Sequence, residues 1–93
     1  MAVEQVVDNV ARRRFELDLD GQISVADYHR DGSHLIVTHV EVPPALRGAG
    51  AAGRLMEGVL AAARAEGLQV IPLCSYAAAY IRRHREHQDL LAS

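Results

Sequence analysis

The sequence predicts an α+β domain with the element order β-β-β-α-β-α and a mixed, mainly antiparallel sheet. Three observations predict it. The first half carries three strand-like runs separated by Asp-Gly pairs. A glycine-rich stretch then opens a run of apolar residues at helical spacing. A short apolar run and a second helical run close the chain.

Residues 14–19, RFELDL, alternate Phe15, Leu17 and Leu19 with polar neighbours, the pattern of a half-buried strand. Asp20-Gly21 follows, a strong signal for a two-residue hairpin turn. Residues 22–29, QISVADYH, give a second strand, and Asp31-Gly32 a second turn. Residues 34–42, HLIVTHVEV, give a third strand, stopped by Pro43 and Pro44. Strict alternation places Leu35, Val37, His39 and Glu41 on one face of it, and Ile36, Thr38 and Val40 on the other.

Residues 50–66 predict a helix, because Ala52, Leu55, Met56, Val59, Leu60 and Ala63 recur at spacings of three, four and seven. Gly67 suits the position just past its end. Residues 68–73, LQVIPL, give a fourth strand. Ser75 is placed to cap a helix from Tyr76 to about His87. One helical crossover joins the third and fourth strands, so these two should be parallel, with a right-handed connection.

The chain has 93 residues, enough for one domain, 1–93. At that size roughly 60–65% of the unfolded surface can be buried. With 49% apolar residues but only 4% aromatic ones, aliphatic side chains must build the core. A net charge of -2 gives no general attraction to nucleic acid or to an anionic membrane. No segment approaches the ~18 apolar residues of a membrane span, and the N-terminus has no apolar signal region. Cys74 is the one cysteine, so no internal disulfide can form, and a cytoplasmic protein is expected.

The stretch Arg47 to Leu55, RGAGAAGRL, satisfies three phosphate-binding patterns. Gly48, Gly50 and Gly53 spell G-x-G-x-x-G, the dinucleotide pattern. That reading needs the first glycine directly after a strand and an acidic residue about 20 positions on. Here PPALR intervenes, and no Asp or Glu stands near Leu73-Cys74-Ser75. The nucleoside-triphosphate loop needs Lys and Ser/Thr after the last glycine, but Arg54 and Leu55 occupy those places. Leucine cannot ligate magnesium. The third pattern, R-x-x-G-x-A over Arg47, Gly50 and Ala52, binds the pyrophosphate of an acyl-CoA, and nothing in its surroundings opposes it.

Here the chain resembles the GNAT superfamily of acyl-CoA-dependent N-acetyltransferases, and more narrowly its short, single-domain YjdJ-like branch. The resemblance covers nearly the whole chain: RRFEL, ADY, H-x-EVPPALRGAGAAGRL, GLQVIPLCSY and AAYIRRH. It implies a minimal GNAT-like fold in which the parallel third and fourth strands splay apart, and pantetheine fills the gap like an added strand. Pro72, which cannot donate to a strand ladder, is compatible with that splay. The resemblance implies acetyl-CoA as co-substrate and an amine as acceptor. Arg47 and the amides of Gly48, Ala49, Gly50, Ala51, Ala52 and Gly53 would hold the pyrophosphate, at a helix N-terminus whose dipole favours an anion. Backbone groups from Val40 to Val42 would meet the thioester and pantetheine.

Acetyl transfer to an amine needs a base for the amine and an acid for the departing thiolate. Cys74, at the end of the fourth strand, is placed to act as general acid or acyl-accepting nucleophile. His39 is a candidate general base, and Glu41 can orient it or act through water. Tyr76 and Tyr80, four residues apart on one helix face, are candidates for contact with the CoA sulfur. Arg83 is a candidate for a CoA phosphate. His84 and His87 read as a solvated helix end, and with Cys74 they lack the spacing and fourth ligand of a zinc site. No metal site is expected.

Full GNAT domains carry two helices after the first strand, where this chain has the Asp20-Gly21 turn. The acceptor side would therefore be open to a small amine, polyamine or protein, or completed by a second subunit. A monomer or a homodimer fits. The alternative function is a non-catalytic acyl-CoA-binding module acting through a protein partner.

Overall fold

The computed structural model describes residues 6–92. Five strands form one sheet in sequential order: β1 (Val6–Asn9), β2 (Arg14–Leu19), β3 (Gln22–Asp31), β4 (His34–Glu41) and β5 (Gln69–Pro72). The first four run antiparallel, and β5 lies parallel to β4. Helix α1 (Ala51–Glu66) is the crossover between them, and α2 (Ser75–Arg83) follows β5. Short 3-10 turns occupy Val10–Arg12, Pro44–Leu46 and Arg85–Leu90. The α+β class and mixed sheet match the sequence expectation, with one more strand, β1. Among the described residues no helix is long and apolar enough to cross a membrane.

The first turn follows from its chemistry. Asp20 has φ 53° and Gly21 φ 83°, the double positive φ that a tight hairpin turn demands. The Asp18 carboxylate accepts the Gly21 N–H at 2.7 Å. The second turn falls one residue later than expected, at Gly32 and Ser33, because β3 continues through Asp31.

The core lies between one face of the sheet and the two helices. Phe15, Leu17, Ala26, Leu35, Val37 and Val70 meet Leu55, Met56, Val59 and Leu60 of α1 and Ile81 of α2. Each such aliphatic side chain contributes about 1.5–3 kcal/mol on full burial. The α1 stripe is the one its periodicity predicts from Leu55 to Ala63, but its first member is buried Ala51 rather than Ala52, which turns to the loop side. Gly67, at φ 70°, ends the helix by donating to the carbonyls of Ala63 and Arg64.

Helix α2 departs from expectation at both ends. Ser75 is its first residue rather than its cap; the cap position is Cys74, and no side chain satisfies the free amides. The α-helix stops at Arg83, and the chain to Leu90 winds as a 3-10 turn. A two-pronged ion pair from Arg64 to Asp89, at 2.8 and 3.0 Å, fixes that turn against α1.

Strand β4 contains the irregularity that matters most for the site. Tyr28 pairs with Val37 and Asp27 with His39, so Thr38 is an extra residue, a β-bulge. The bulge shifts the alternation by one. Leu35 and Val37 point into the core, and beyond the bulge Val40 packs there. His39 and Glu41 therefore do not share a face with Leu35 and Val37, as strict alternation implied. They turn to the opposite, exposed face, with side chains 58% and 69% accessible.

Strand β1, unpredicted, is short and ends in Asp8-Asn9. Two contacts hold it. The Asp8 carboxylate accepts from the Tyr28 hydroxyl at 2.5 Å and pairs with Arg30, which also reaches Glu66 of α1. Gly58 in the middle of α1 leaves room for Val6: a Cβ there would overlap the Val6 side chain. A helix-interior glycine costs about 1 kcal/mol relative to alanine, and the approach of β1 is what it permits. Gly58→Ala should lower stability by about 1 kcal/mol net, since overpacking outweighs the propensity gain. Urea denaturation checks this; a variant as stable as the parent would show that β1 does not depend on the close approach.

Candidate active site

The parallel ladder between β4 and β5 ends early. Its last pair is Val37 with Pro72. The Val37 carbonyl then accepts two amides, Leu73 N–H at 2.9 Å and Cys74 N–H at 3.2 Å. Strand β4 runs on through Glu41 while the other chain turns into α2. The two strands thus part at Val37, as the splay expectation required.

The loop after β4 fills the mouth of this gap. Pro43 stops the strand, and the Leu46 and Arg47 amides bond back to the carbonyls of Pro43 and Pro44. Gly48 (φ 85°) and Gly50 (φ 81°) adopt the left-handed conformation that disfavours a side chain. A Cβ on either would project into open space. Helix α1 starts at Ala51 with no side-chain cap. Its first intrahelical bond runs from Arg54 N–H to the Gly50 carbonyl. The amides of Ala51, Ala52 and Gly53 precede that bond and end the helix with unpaired donors. Gly53 differs from the other two glycines: a Cβ there would touch the Tyr80 ring at an ordinary 3.6 Å.

Two adjoining hollows result. One, about 340 Å³, is lined by Leu46, Arg47, Gly48, Gly50, Ala51 and Gly53, together with Val42, Ala52 and Tyr76. The other, about 490 Å³, is lined by His39, Val40 and Glu41 and shares Val42, Arg47, Ala52 and Tyr76 with the first. The phosphate-type loop and the end of β4 therefore open into one continuous cleft. Most of the residues singled out in the sequence line it. Leu46, which the sequence did not single out, lines it too.

At the β4 end, His39 Nε2 lies 3.3 Å from Glu41 Oε1. Tyr76 stands where the two hollows meet. Burial pushes its hydroxyl above the ordinary tyrosine range, with Arg83 opposing and Cys74 adding to the rise. It remains a protonated O–H donor at neutral pH.

Four expected residues sit elsewhere. Cys74 is half-buried and packs against the core at the branch point, and it is not among the cleft-lining residues. Ala49 turns its amide to the Leu46 carbonyl at 3.0 Å. Arg83 is exposed on the last turn of α2, outside the cleft lining. Tyr80 faces α1, where its hydroxyl donates to the Glu57 carboxylate.

Tyr80 anchors a cluster that the sequence reading missed. Its ring stacks on His84 at 3.9 Å. His84 Nδ1 lies 2.7 Å from the Tyr80 carbonyl, and His87 Nε2 3.0 Å from Glu57 Oε2. The helix end expected to be solvated is instead packed, with the His87 side chain only 13% exposed. The signal was present in the spacing of Tyr80, His84 and His87, which places the three along one side of the chain. Burial pushes the Tyr80 hydroxyl up, and the Glu57 carboxylate pushes it further. Burial alone would raise Glu57 as well, but the hydrogen bonds from Tyr80 and His87 prevail and hold it below the usual carboxylate range. Among the described residues no group of side chains is arranged to hold a metal ion.

A family model described as GCN5-related N-acetyl-transferase matches residues 14–90. The chain belongs to the GCN5-related N-acetyltransferases. Acetyl transfer is the general activity that membership supports. A solved solution structure of a GCN5-like protein from Staphylococcus aureus is similar in fold, with a TM-score of 0.75 at 22% identity. The match covers 100% of this chain and 92% of that one. Comparison with curated proteins gave no match.

A carboxylate held low stabilises the fold above its unfolded pKa of 4.5, and that contribution is lost as pH falls through the folded value. Glu57→Gln in this acetyltransferase should therefore flatten the loss of thermal stability between about pH 5 and 3. Melting curves across that range test it. An unchanged slope would mean that the Tyr80–Glu57–His87 contacts do not form in solution.

Proposed function

We propose that this protein is an acetyl-CoA-dependent N-acetyltransferase that acetylates an amine in the cleft between β4 and β5. One observation carries the reading: the uncapped N-terminus of α1, with its two left-handed glycines, opens into the same cleft as the end of β4. The residues fit the group. A phosphate needs donors and close approach, and at Gly48 and Gly50 a Cβ would only intrude on open space. Charge-assisted amide bonds contribute about 1.5–3 kcal/mol each. Three of them, with Arg47 beside them, supply a large part of the roughly -8 kcal/mol of a micromolar complex.

In this reading Arg47 and the amides of Gly48, Gly50, Ala51, Ala52 and Gly53 hold the pyrophosphate, while the Ala49 amide stays on the Leu46 carbonyl. The backbone of Val40, on the part of β4 that β5 has left, and of Val42 just past the strand meets the pantetheine arm. When bound, acetyl-CoA supplies the thioester carbon that the amine attacks. His39, with Glu41 beside it, takes the proton released by the amine. The new C–N bond forms as the C–S bond breaks, and the sulfur takes a proton. We assign that proton to Tyr76, whose hydroxyl stays protonated and lines the cleft. Cys74, half-buried at the branch point, is the competing donor.

Calorimetry should show acetyl-CoA binding with a micromolar Kd and no heat with NAD or ATP. Gly50→Val should weaken that binding at least tenfold without changing the fold by circular dichroism. His39→Ala and Tyr76→Phe should lower turnover of a reactive amine at least tenfold and leave the Kd unchanged. A rate lost in Cys74→Ala but kept in Tyr76→Phe would move the donor to the thiol. No heat with acetyl-CoA would overturn the reading.

A further inference from the structure

The sheet face turned away from the helices carries another hollow, of about 390 Å³. Arg14, Ile23, Val25, Glu41 and Pro43 line it. Glu41 also lines the cleft between β4 and β5. One carboxylate thus borders both spaces, and the bulge at Thr38 is what turns it to this face. Glu41 is the lining residue that the two spaces share, at the end of β4.

The lining has a definite chemistry. Ile23 is 44% exposed, an apolar side chain that the core does not use. Val25, opposite Glu41 in register, and Pro43 extend the apolar floor. Arg14, the one cation among the lining residues, is paired with Glu16 at 2.6 Å. Among the described residues Glu41 has only the imidazole of His39, at 3.3 Å. The hollow therefore offers an uncompensated negative charge next to an alkyl surface. Its complement is a cation on an aliphatic body.

We propose that this hollow is the acceptor site, and that the acceptor is a primary aliphatic amine. The proposal rests on reading the β4–β5 cleft as the acetyl-CoA site. The amine arrives as an ammonium with its nitrogen at Glu41 and its carbon chain along Ile23, Val25 and Pro43. It gives one proton to the His39–Glu41 pair, and the freed lone pair attacks the thioester carbon. The C–S bond breaks as the C–N bond forms, the nitrogen loses its second proton, and the sulfur gains one. An α-amino acid is disfavoured, because its carboxylate would lie against Glu41.

The test uses the full chain, acetyl-CoA and a series of ethylamine, butylamine and hexylamine, with glycine for comparison, read by thiol release. The value of kcat/KM should rise by about two- to fourfold for each methylene the hollow covers. Glycine should be the poorest acceptor. Ile23→Ser, at an exposed position, should flatten the chain-length dependence while the acetyl-CoA Kd and the melting temperature stay unchanged. Equal rates along the series, a slope that survives in Ile23→Ser, or acetyl-CoA binding with no turnover of any of these amines would each overturn the acceptor proposal. Failure to bind acetyl-CoA would instead overturn the reading on which it rests.

Discussion

The Val37 carbonyl decides the geometry of this molecule. It accepts the amides of both Leu73 and Cys74, and no further rung of the parallel ladder follows. Two donors satisfy both lone pairs of one acceptor. The chain after β5 is thereby committed to leave the sheet and begin α2. One residue later on β4, the bulge at Thr38 changes which side chains face the core. Had the ladder continued, the cleft lined by Val40 and Val42 would be filled by another strand. Had the alternation continued, His39 and Glu41 would be driven into the apolar layer formed by Leu35 and Val37.

The second constraint is the start of α1. Helix N-termini are usually closed by Ser, Thr, Asp or Asn, whose side chain satisfies a free amide. Here Gly50 stands at that position in the left-handed conformation, with no side chain to offer. The helix start thus forgoes the stabilisation that a capping side chain gives elsewhere. Buried Ala51 seats the first turn on the core, so the helix is held by packing while its end stays open. Such an end suits an anion that the protein itself does not contain. The Tyr80–Glu57–His87 cluster lies behind the same turn, with the Tyr80 ring against Gly53, and stiffens it from the far side.

What the sequence shows and what it hides divide along a physical line. The Asp20-Gly21 turn, the α1 stripe and the Gly67 stop are local: dihedral preference and period decide them. The loop from Arg47 to Gly50 is local too, since Gly48 and Gly50 are demanded by the chain's own left-handed path. Strand β1 is not local. Four residues ending in Asp8-Asn9 are a strand only because Arg30, Tyr28 and the gap above Gly58 receive them. The bulge at Thr38 is marked by no glycine or proline; it comes from the register that β3 imposes on β4. For the same reason the alternation within HLIVTHVEV puts His39 on the wrong face. The end of α2 is set by contacts with α1 through Arg64 and Glu57, which no pattern within AAYIRRH records.

The missing helices after the first strand acquire a meaning from this arrangement. In their place β2 and β3 turn tightly at Asp20-Gly21, and the outer sheet face beside Glu41 is left uncovered. An uncovered face next to a cleft carries apolar as well as polar side chains. This one keeps Ile23 exposed and Val25 half-buried directly across from Glu41. A charge and an alkyl surface that close together are complementary to an amphipathic ligand that covers both. An alkyl ammonium does so: its head satisfies the carboxylate and its chain removes Ile23 from water. In the proposed reading, the same bulge that keeps His39 and Glu41 out of the core also gives an amine its route to the end of β4.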